Sequence, residues 1–428
     1  MRKINTAYNI LNSFKLLKGN TRTCVVYEPF WGIPFVLFNF YLSLYMKELG
    51  VTNIQLGYII SIGYIAGTLF SLISGAITDR LGRKRTTLIF DLISWPLTVI
   101  IYFISNSFAL FALATITNSM NRIVAVSWNL MMVEEADNEQ RVAAYNIVNI
   151  INIASGVVIP LTGILVSAYG IIISERIFLA FAAVSMTAMM LLRNRIYKET
   201  SVGRHNIEER KKNPSRADLK KILPVQAVKK FKGNTKAIIA AIVYILFFTY
   251  IPLGTFNSLY FAPFMTEALG LGKSSISILG GVYSGVLLFV FVLINPIAGR
   301  LNHTKNMQVG LAIQAAALTA LILIPAGSLP AAVIFIIAYA AGFGIFRPYV
   351  DSMLAEVSEG NERAGVYSMV NTITCIATAV IGFISGSIYL YNPRLIYVAS
   401  IIILAVSIVL LEIYYKLGKS GKESRLPA

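Results

Sequence analysis

The chain has 428 residues, 56% of them hydrophobic and 13% charged, with 37 Lys and Arg against 20 Asp and Glu for a formal charge of +17. Soluble globular domains carry about 25% charged residues, so a water-covered enzyme of ordinary domains is excluded. Long apolar runs split the basic excess into short islands, the pattern of a polytopic membrane protein rather than of a nucleic-acid binder.

Residues 1–22 come first and hold Arg2, Lys3, Lys15, Lys18 and Arg22 with no acid. Ile4, Tyr8, Leu11 and Phe14 recur at helical spacing, which predicts an amphipathic stretch at the membrane interface. A helix needs about 20 apolar residues to cross the hydrocarbon core. Twelve such windows follow, at 24–46, 52–78, 86–105, 107–133, 142–169, 174–193, 237–264, 274–298, 307–325, 329–356, 364–390 and 395–416. They lack the short alternating segments of a membrane barrel, so spanning helices are predicted.

The longest break, 193–236, contains 14 basic residues and four acids. The expected organisation is a basic N-terminal segment over 1–22, a six-helix bundle over 23–193, a basic linker over 194–236, a second six-helix bundle over 237–416 and a tail over 417–428. With both termini cytoplasmic, 31 of the 37 basic residues face the cytoplasm and four (Lys47, Arg176, Lys273 and Arg394) face outside. That bias obeys the positive-inside rule. It predicts a multi-pass protein of a prokaryotic plasma membrane. Arg122 and Arg347 are the two basic residues assigned to span interiors.

The halves repeat. Tyr41, Tyr45, Met46 and Glu48 recur as Tyr260, Phe264, Met265 and Glu267, and Arg80-Leu81 as Arg300-Leu301. Glu134, Asp137, Arg141, Tyr145, Val148 and Asn149 recur as Glu356, Glu359, Arg363, Tyr367, Val370 and Asn371, displaced by 222 residues. Three matches at nearly constant displacement point to duplication, and parallel repeats of this kind hold a solute site at their interface.

Between spans 2 and 3 stands Gly75-Ala76-Ile77-Thr78-Asp79-Arg80-Leu81-Gly82-Arg83-Lys84-Arg85. It resembles the loop motif of the major facilitator superfamily at the same place. The resemblance implies an all-α membrane protein of twelve transmembrane helices in two six-helix parallel repeats, with helices 1, 4, 7 and 10 around a central cavity. It also implies that Asp79, Arg80, Arg83 and Lys84 form a gating charge network. Gly75 and Gly82 would permit close packing and a sharp turn. The second copy is degenerate, with Gly299 in place of the acid. Gly156-x3-Pro160-x2-Gly163 and Arg122 resemble the drug/proton antiporter branch, although Ile159, Ile164 and Val126 depart from its pattern.

Charge inside a bilayer is costly and needs a reason. At 100° per residue, Asn118, Arg122 and Asn129 fall within about 40° on span 4. Arg347 and Asp351 share a face of span 10. Glu28 lies one turn into span 1 beside Trp31, and burial favours the protonated form of a carboxylic acid. Candidate solute-binding residues are therefore Trp31, Asn39, Asn118, Arg122, Asn129, Asn257, Tyr260 and Arg347. Candidate proton-coupling residues are Glu28, Asp351 and Arg122. The competing reading locks Arg122 and Arg347 to Glu28 and Asp351 as buried ion pairs. Asp91 is expected to balance the basic loop, and Glu134 and Glu135 to sit at the cytoplasmic rim.

The functional expectation is a secondary active transporter moving a small organic solute by alternating access. Proton coupling is expected, with sodium as the other ion, and efflux of an amphiphilic compound is favoured. The alternatives are proton-coupled import of a sugar or organic anion and, from another class, a non-transporting sensor or lipid-moving protein. Two histidines, His205 and His303, both in polar connections, argue against an intramembrane enzyme or metal centre. No G-x4-G-K-[ST] loop offers ATP drive. The expected partners are a small solute, a coupling ion and the lipid bilayer, with no cofactor, no nucleic acid and a monomeric state.

Overall fold

The computed structural model describes residues 12–212, 234–298, 302–357 and 363–423. The predicted repeat positions Gly299, Arg300, Leu301 and Glu359, the side chains of Asp351, Glu356, Arg363 and Tyr367, and Ile4, Tyr8 and Leu11 lie outside the described residues.

Helices form wherever an apolar run is long enough. Before the linker stand α1 (Gly19–Glu48), α2 (Asn53–Leu81), α3 (Arg83–Ile104) and α4 (Phe108–Val133). A 59-residue apolar stretch, Asn138–Ile196, follows. Gly170 divides it, with φ of 75° and ψ of 173° inside an otherwise helical run. A turn of that hand is open to glycine alone at little cost, so the stretch contributes two membrane helices, α5 (138–169) and α6 (171–196). A polar linker helix, Ser201–Lys212, comes next. The second unit holds α7 (Thr235–Gly254), α8 (Ile276–Ile294), α9 (His303–Leu323), α10 (Leu329–Val357), α11 (Arg363–Tyr391) and α12 (Arg394–Glu423). Among the described residues this makes twelve membrane helices, six before the linker helix and six after it.

Polar residues set the helix starts. Asp137 accepts the Gln140 N–H at 2.8 Å to cap α5, and those bonds to Gln140 hold its carboxyl below the usual carboxylate range. Asn302 caps α9 through Lys305 N–H at 3.2 Å, and Asn234 caps α7 through Ala237 N–H at 3.0 Å. Such a cap satisfies a donor that the first helical turn leaves free.

Two departures from the expected spans have local causes. The first helix begins at Gly19 rather than near residue 24, because Asn20, Thr21 and Thr23 are buried with hydrogen bonds. Thr21 donates to the Met132 carbonyl at 2.8 Å, and Asn20 exchanges two bonds with the backbone of Lys198. The seventh span is not continuous from 237 to 264. Pro252 lies within its last turn, Thr255 is extended, and helix resumes only at Phe261. Proline removes a backbone donor and glycine at 254 weakens what remains, so the helix ends there.

One unit comprises Met1–Thr52 and Ile62–Asp218; the other comprises Asn53–Ser61 and Leu219–Ala428. In the first, Leu17, Cys24, Val25, Met131, Met132, Ala144, Ile147 and Tyr197 form an apolar core. In the second, the Tyr250 and Tyr339 hydroxyls meet at 2.6 Å beside Gln314, and Tyr283 stacks on Phe256 at 4.2 Å. The repeat shows in burial. Tyr41, Tyr45 and Met46 are at most 1% exposed in the first unit, as are Tyr260, Phe264 and Met265 in the second. The outward faces are apolar instead, with Val184 70%, Leu323 76% and Ile334 69% exposed. Surfaces of that kind belong against lipid.

Candidate functional site: a tryptophan-lined cavity

The first unit encloses a cavity of about 240 Å³ lined by Glu28 and Trp31 of α1, Asp91 and Trp95 of α3, Asn121, Val124, Ala125 and Trp128 of α4, and Met189 and Arg193 of α6. The sequence contains three tryptophans, and all three line it.

Proline shapes two of its walls. Pro29 follows Glu28 and cannot donate to the turn below, so α1 breaks at Tyr27 and restarts at Pro29. Glu28 sits at that joint, 8% exposed. In α3, Pro96 lies within a π-helical segment, Ile93–Leu97, that carries Trp95. Insertions of this kind follow from a missing backbone bond and re-aim the side chains they carry. Asn118 of α4 donates to the Ser94 carbonyl at 2.9 Å and holds the segment in place.

The rings meet at right angles. Trp31 and Trp95 stand edge to face with centroids 5.0 Å apart, and Phe35 stacks behind Trp31 at 5.0 Å. Neither the Trp31 nor the Trp128 indole N–H has a hydrogen-bond partner among the described residues. Buried indoles usually find one.

Arg193 binds Asp91 as a fully buried ion pair, one arginine Nη against one carboxylate oxygen. The Arg193 guanidinium also lies 5.4 Å from the centre of the Tyr197 ring. Arg193 and Asp91 line the cavity together with Glu28. Since Asp91 and Arg193 neutralise each other, an ionised Glu28 leaves the cavity with one net negative charge.

A second construction closes one end of this unit. Gly82 opens α3 with φ of 84°. The Glu199 carboxylate accepts the Arg83 and Lys84 N–H groups at 2.9 and 3.0 Å, capping α3 from a distant part of the chain. Arg83 is 3% exposed and donates to Glu134 at 2.9 Å and to Asp79 at 3.1 Å. Lys84 Nζ donates to the Tyr197 carbonyl at 2.6 Å. Thr200 donates to Glu134, the Ser201 N–H to Glu135, and Asn206 of the linker helix to Asp79. The gating motif, the end of α4 and the linker helix are thus one hydrogen-bonded network.

The whole sequence agrees with the family to which the motif resemblance points. The family profile described as Major Facilitator Superfamily matches residues 31–260 and 252–428. The chain belongs to the Major Facilitator Superfamily. It is therefore a multi-pass membrane protein built as a transporter and not as an enzyme. Solved structures of the same fold include the nucleoside transporter NupG, with 16% identity, 94% of this chain and 100% of that one covered, and a TM-score of 0.66. A D-xylose–proton symporter follows at 14%, 91%, 96% and 0.69. A bacterial homologue of the iron transporter ferroportin in an inward-facing state gives 14%, 92%, 98% and 0.68. At such identities these facilitators share the fold alone. None of the curated proteins matches the sequence significantly.

Of the residues singled out from sequence in this facilitator, Glu28 and Trp31 line the cavity. Asn118 instead supports the α3 backbone, and Asn129 accepts the Tyr145 hydroxyl at 2.6 Å. Arg122 is exposed on α4 beside Gly67, away from Glu28's charged neighbours, and Asn39 is half-buried on α1. In the second unit, Arg347 lies 5.2 Å from the centre of the Phe248 ring. Asn257 is exposed in the interruption after α7, and Tyr260 is buried, bonding Ser385 and the Asn53 carbonyl. Gly75 is exposed, and a Cβ there would meet nothing within 4 Å; Arg80 is exposed as well.

Arg193 and Asp91 were not anticipated at the site. Arg193 reads from sequence as the first basic residue of the linker, yet α6 continues to Ile196 and buries it. Asp91 reads as a counter-charge for the loop and instead pairs with Arg193 in the cavity wall. The available signal was their excess: an acid and a base at the inner margins of two spans, each needing a partner.

Proposed function

We propose that this facilitator is a secondary active transporter that exchanges an amphiphilic organic compound for protons and exports it, with Glu28 as the protonated and deprotonated group. The single observation that carries this reading is a buried carboxylic acid at a helix joint inside an aromatic cavity. A carboxylic acid can take up or release a proton as its surroundings change, and Arg193 shares the cavity with it. The lining supports an amphiphile over a sugar, because six of its ten residues are tryptophan, valine, alanine or methionine and two of the four polar ones, Asp91 and Arg193, are bonded to each other. A polyol needs many hydrogen-bond partners to replace its water. The basic network at Gly82 and the linker are placed in the cytoplasm by the positive-inside bias.

The test uses proteoliposomes of the full chain enclosing a pH-sensitive dye. Addition of solutes from a panel of lipophilic amines, sugars and organic anions is expected to move protons with some member of the panel. Glu28→Gln abolishes that movement. Solute-evoked proton flux that persists in Glu28→Gln contradicts the assignment of coupling to Glu28.

A further inference from the structure

We infer that the second unit holds an acidic phospholipid at the seam between α9 and α12, with the headgroup on lysines at the end of the bundle where α7 begins. This site is separate from the tryptophan cavity and independent of the proposed function.

Three lysines gather at one end of α12. Lys236, in the first turn of α7, carries its ammonium 4.7 Å from the centre of the Tyr414 ring. Lys305, in the first turn of α9, lies 5.6 Å from the centre of the Tyr415 ring. Lys416 is the next residue of α12 and is exposed. An aromatic face attracts an ammonium group through its ring quadrupole, so two neighbouring tyrosines of one helix draw in lysines from two others. The acid among them is Glu412, which accepts from Gln308 of α9 at 3.1 Å and lies 3.7 Å from Lys416. Three ammonium groups against that one carboxylate leave the seam positive.

The surface beside the lysines is apolar. Val309 follows Lys305 by one turn of α9, and Ile413 and Val409 precede Lys416 by one and two turns of α12. Residues three, four and seven apart share a helix face, and these three side chains are exposed. Lys305 and Lys416 thus each crown an apolar stripe. A phospholipid has the matching build, an anionic head on hydrocarbon chains, whereas a free phosphate would use the lysines and leave the stripes uncovered. The positive-inside bias assigns this end to the cytoplasmic leaflet. Basic residues at such helix ends attract acidic lipid, by about fivefold for each lysine near the surface.

The test is made on the full chain, purified in detergent and stripped of lipid. It is incubated with equimolar phosphatidylglycerol and phosphatidylcholine of the same acyl chains, and the intact complexes are weighed by native mass spectrometry. The expected result is retention of phosphatidylglycerol in preference to phosphatidylcholine. Lys305→Gln with Lys416→Gln lowers that preference by about tenfold or more, while phosphatidylcholine retention is unchanged and shows that the variant is folded. Lys15→Gln with Lys18→Gln removes the same charge from exposed positions ahead of α1 and keeps the preference. Excess inorganic phosphate leaves the lipid in place. Equal retention of the two lipids, a preference unchanged in the seam variant, or an equal loss in both double variants overturns the inference. Displacement of the lipid by inorganic phosphate overturns it too, since the seam would then be a site for soluble anions.

Discussion

Glu28 owes its position to the residue after it. Pro29 interrupts α1 where the carboxylate must reach the cavity, and the first-turn preference of proline lets the helix restart at once. Glu28→Gln is expected to fold as well as the wild type while losing proton coupling, since the amide keeps the shape. Glu175 of α6 makes the opposite case. It is 1% exposed, and neither carboxylate oxygen has a hydrogen-bond partner among the described residues. An uncompensated buried acid is costly, so Glu175→Gln should raise the melting temperature by about 2 °C or more; a fall in thermal stability would show that the carboxylate is supported. Glu28 and Trp31 were legible in the sequence because acid and large aromatic stand together in one apolar run. Arg193 was not, because a buried ion pair is a property of two helices and hydropathy sees one. Arg122, singled out for its place inside a span, lies on an exposed face of α4 beside Gly67.

At the scale of elements, the linker and α3 are joined by Glu199. Its carboxylate occupies the N-terminus of α3, where the helix dipole and free N–H groups favour an anion. Gly82 makes room for it: a Cβ there would lie 2.5 Å from Glu199 Oε2, on a backbone with φ of 84°. Gly82→Ala is therefore expected to cost about 1–3 kcal/mol from the backbone alone, read as a lowered melting temperature. Glu199→Gln should cost less, because the amide retains one acceptor. An unchanged melting temperature for both variants would show that the junction contributes nothing. Asp137 gives a pH-dependent counterpart. Its folded value lies below its unfolded one, so its stabilisation is present above the unfolded value and is lost as pH falls through the folded value. The deficit of Asp137→Ala should thus be largest near neutrality and shrink in acid; a deficit independent of pH would remove the charge from the explanation. The existence of these helices was readable from apolar length alone. The interruption after α7 was less so, because Pro252 and Gly254 sit inside a run whose hydropathy does not change.

Across the whole molecule, the twelve-helix fold was the most legible feature. A bilayer demands internally satisfied backbone over a fixed thickness, so length and hydropathy nearly determine the spans, and the repeated Tyr41-Tyr45-Met46 and Tyr260-Phe264-Met265 exposed the duplication. The cavity was less legible because it forms from α1, α3, α4 and α6 together. Much of the +17 charge lies with the linker, which holds 14 basic residues and four acids over 193–236. The central claim is that proton movement through Glu28 drives solute exchange. Its most direct test is accumulation of a labelled solute, one that evokes proton flux in the panel, in proteoliposomes with an acidic lumen, the membrane potential clamped at zero by equal potassium and an ionophore. The account predicts accumulation above the external concentration, collapsing when the pH gradient is dissipated and absent in Glu28→Gln. Equal entry with and without the gradient, or undiminished accumulation by Glu28→Gln, would contradict it.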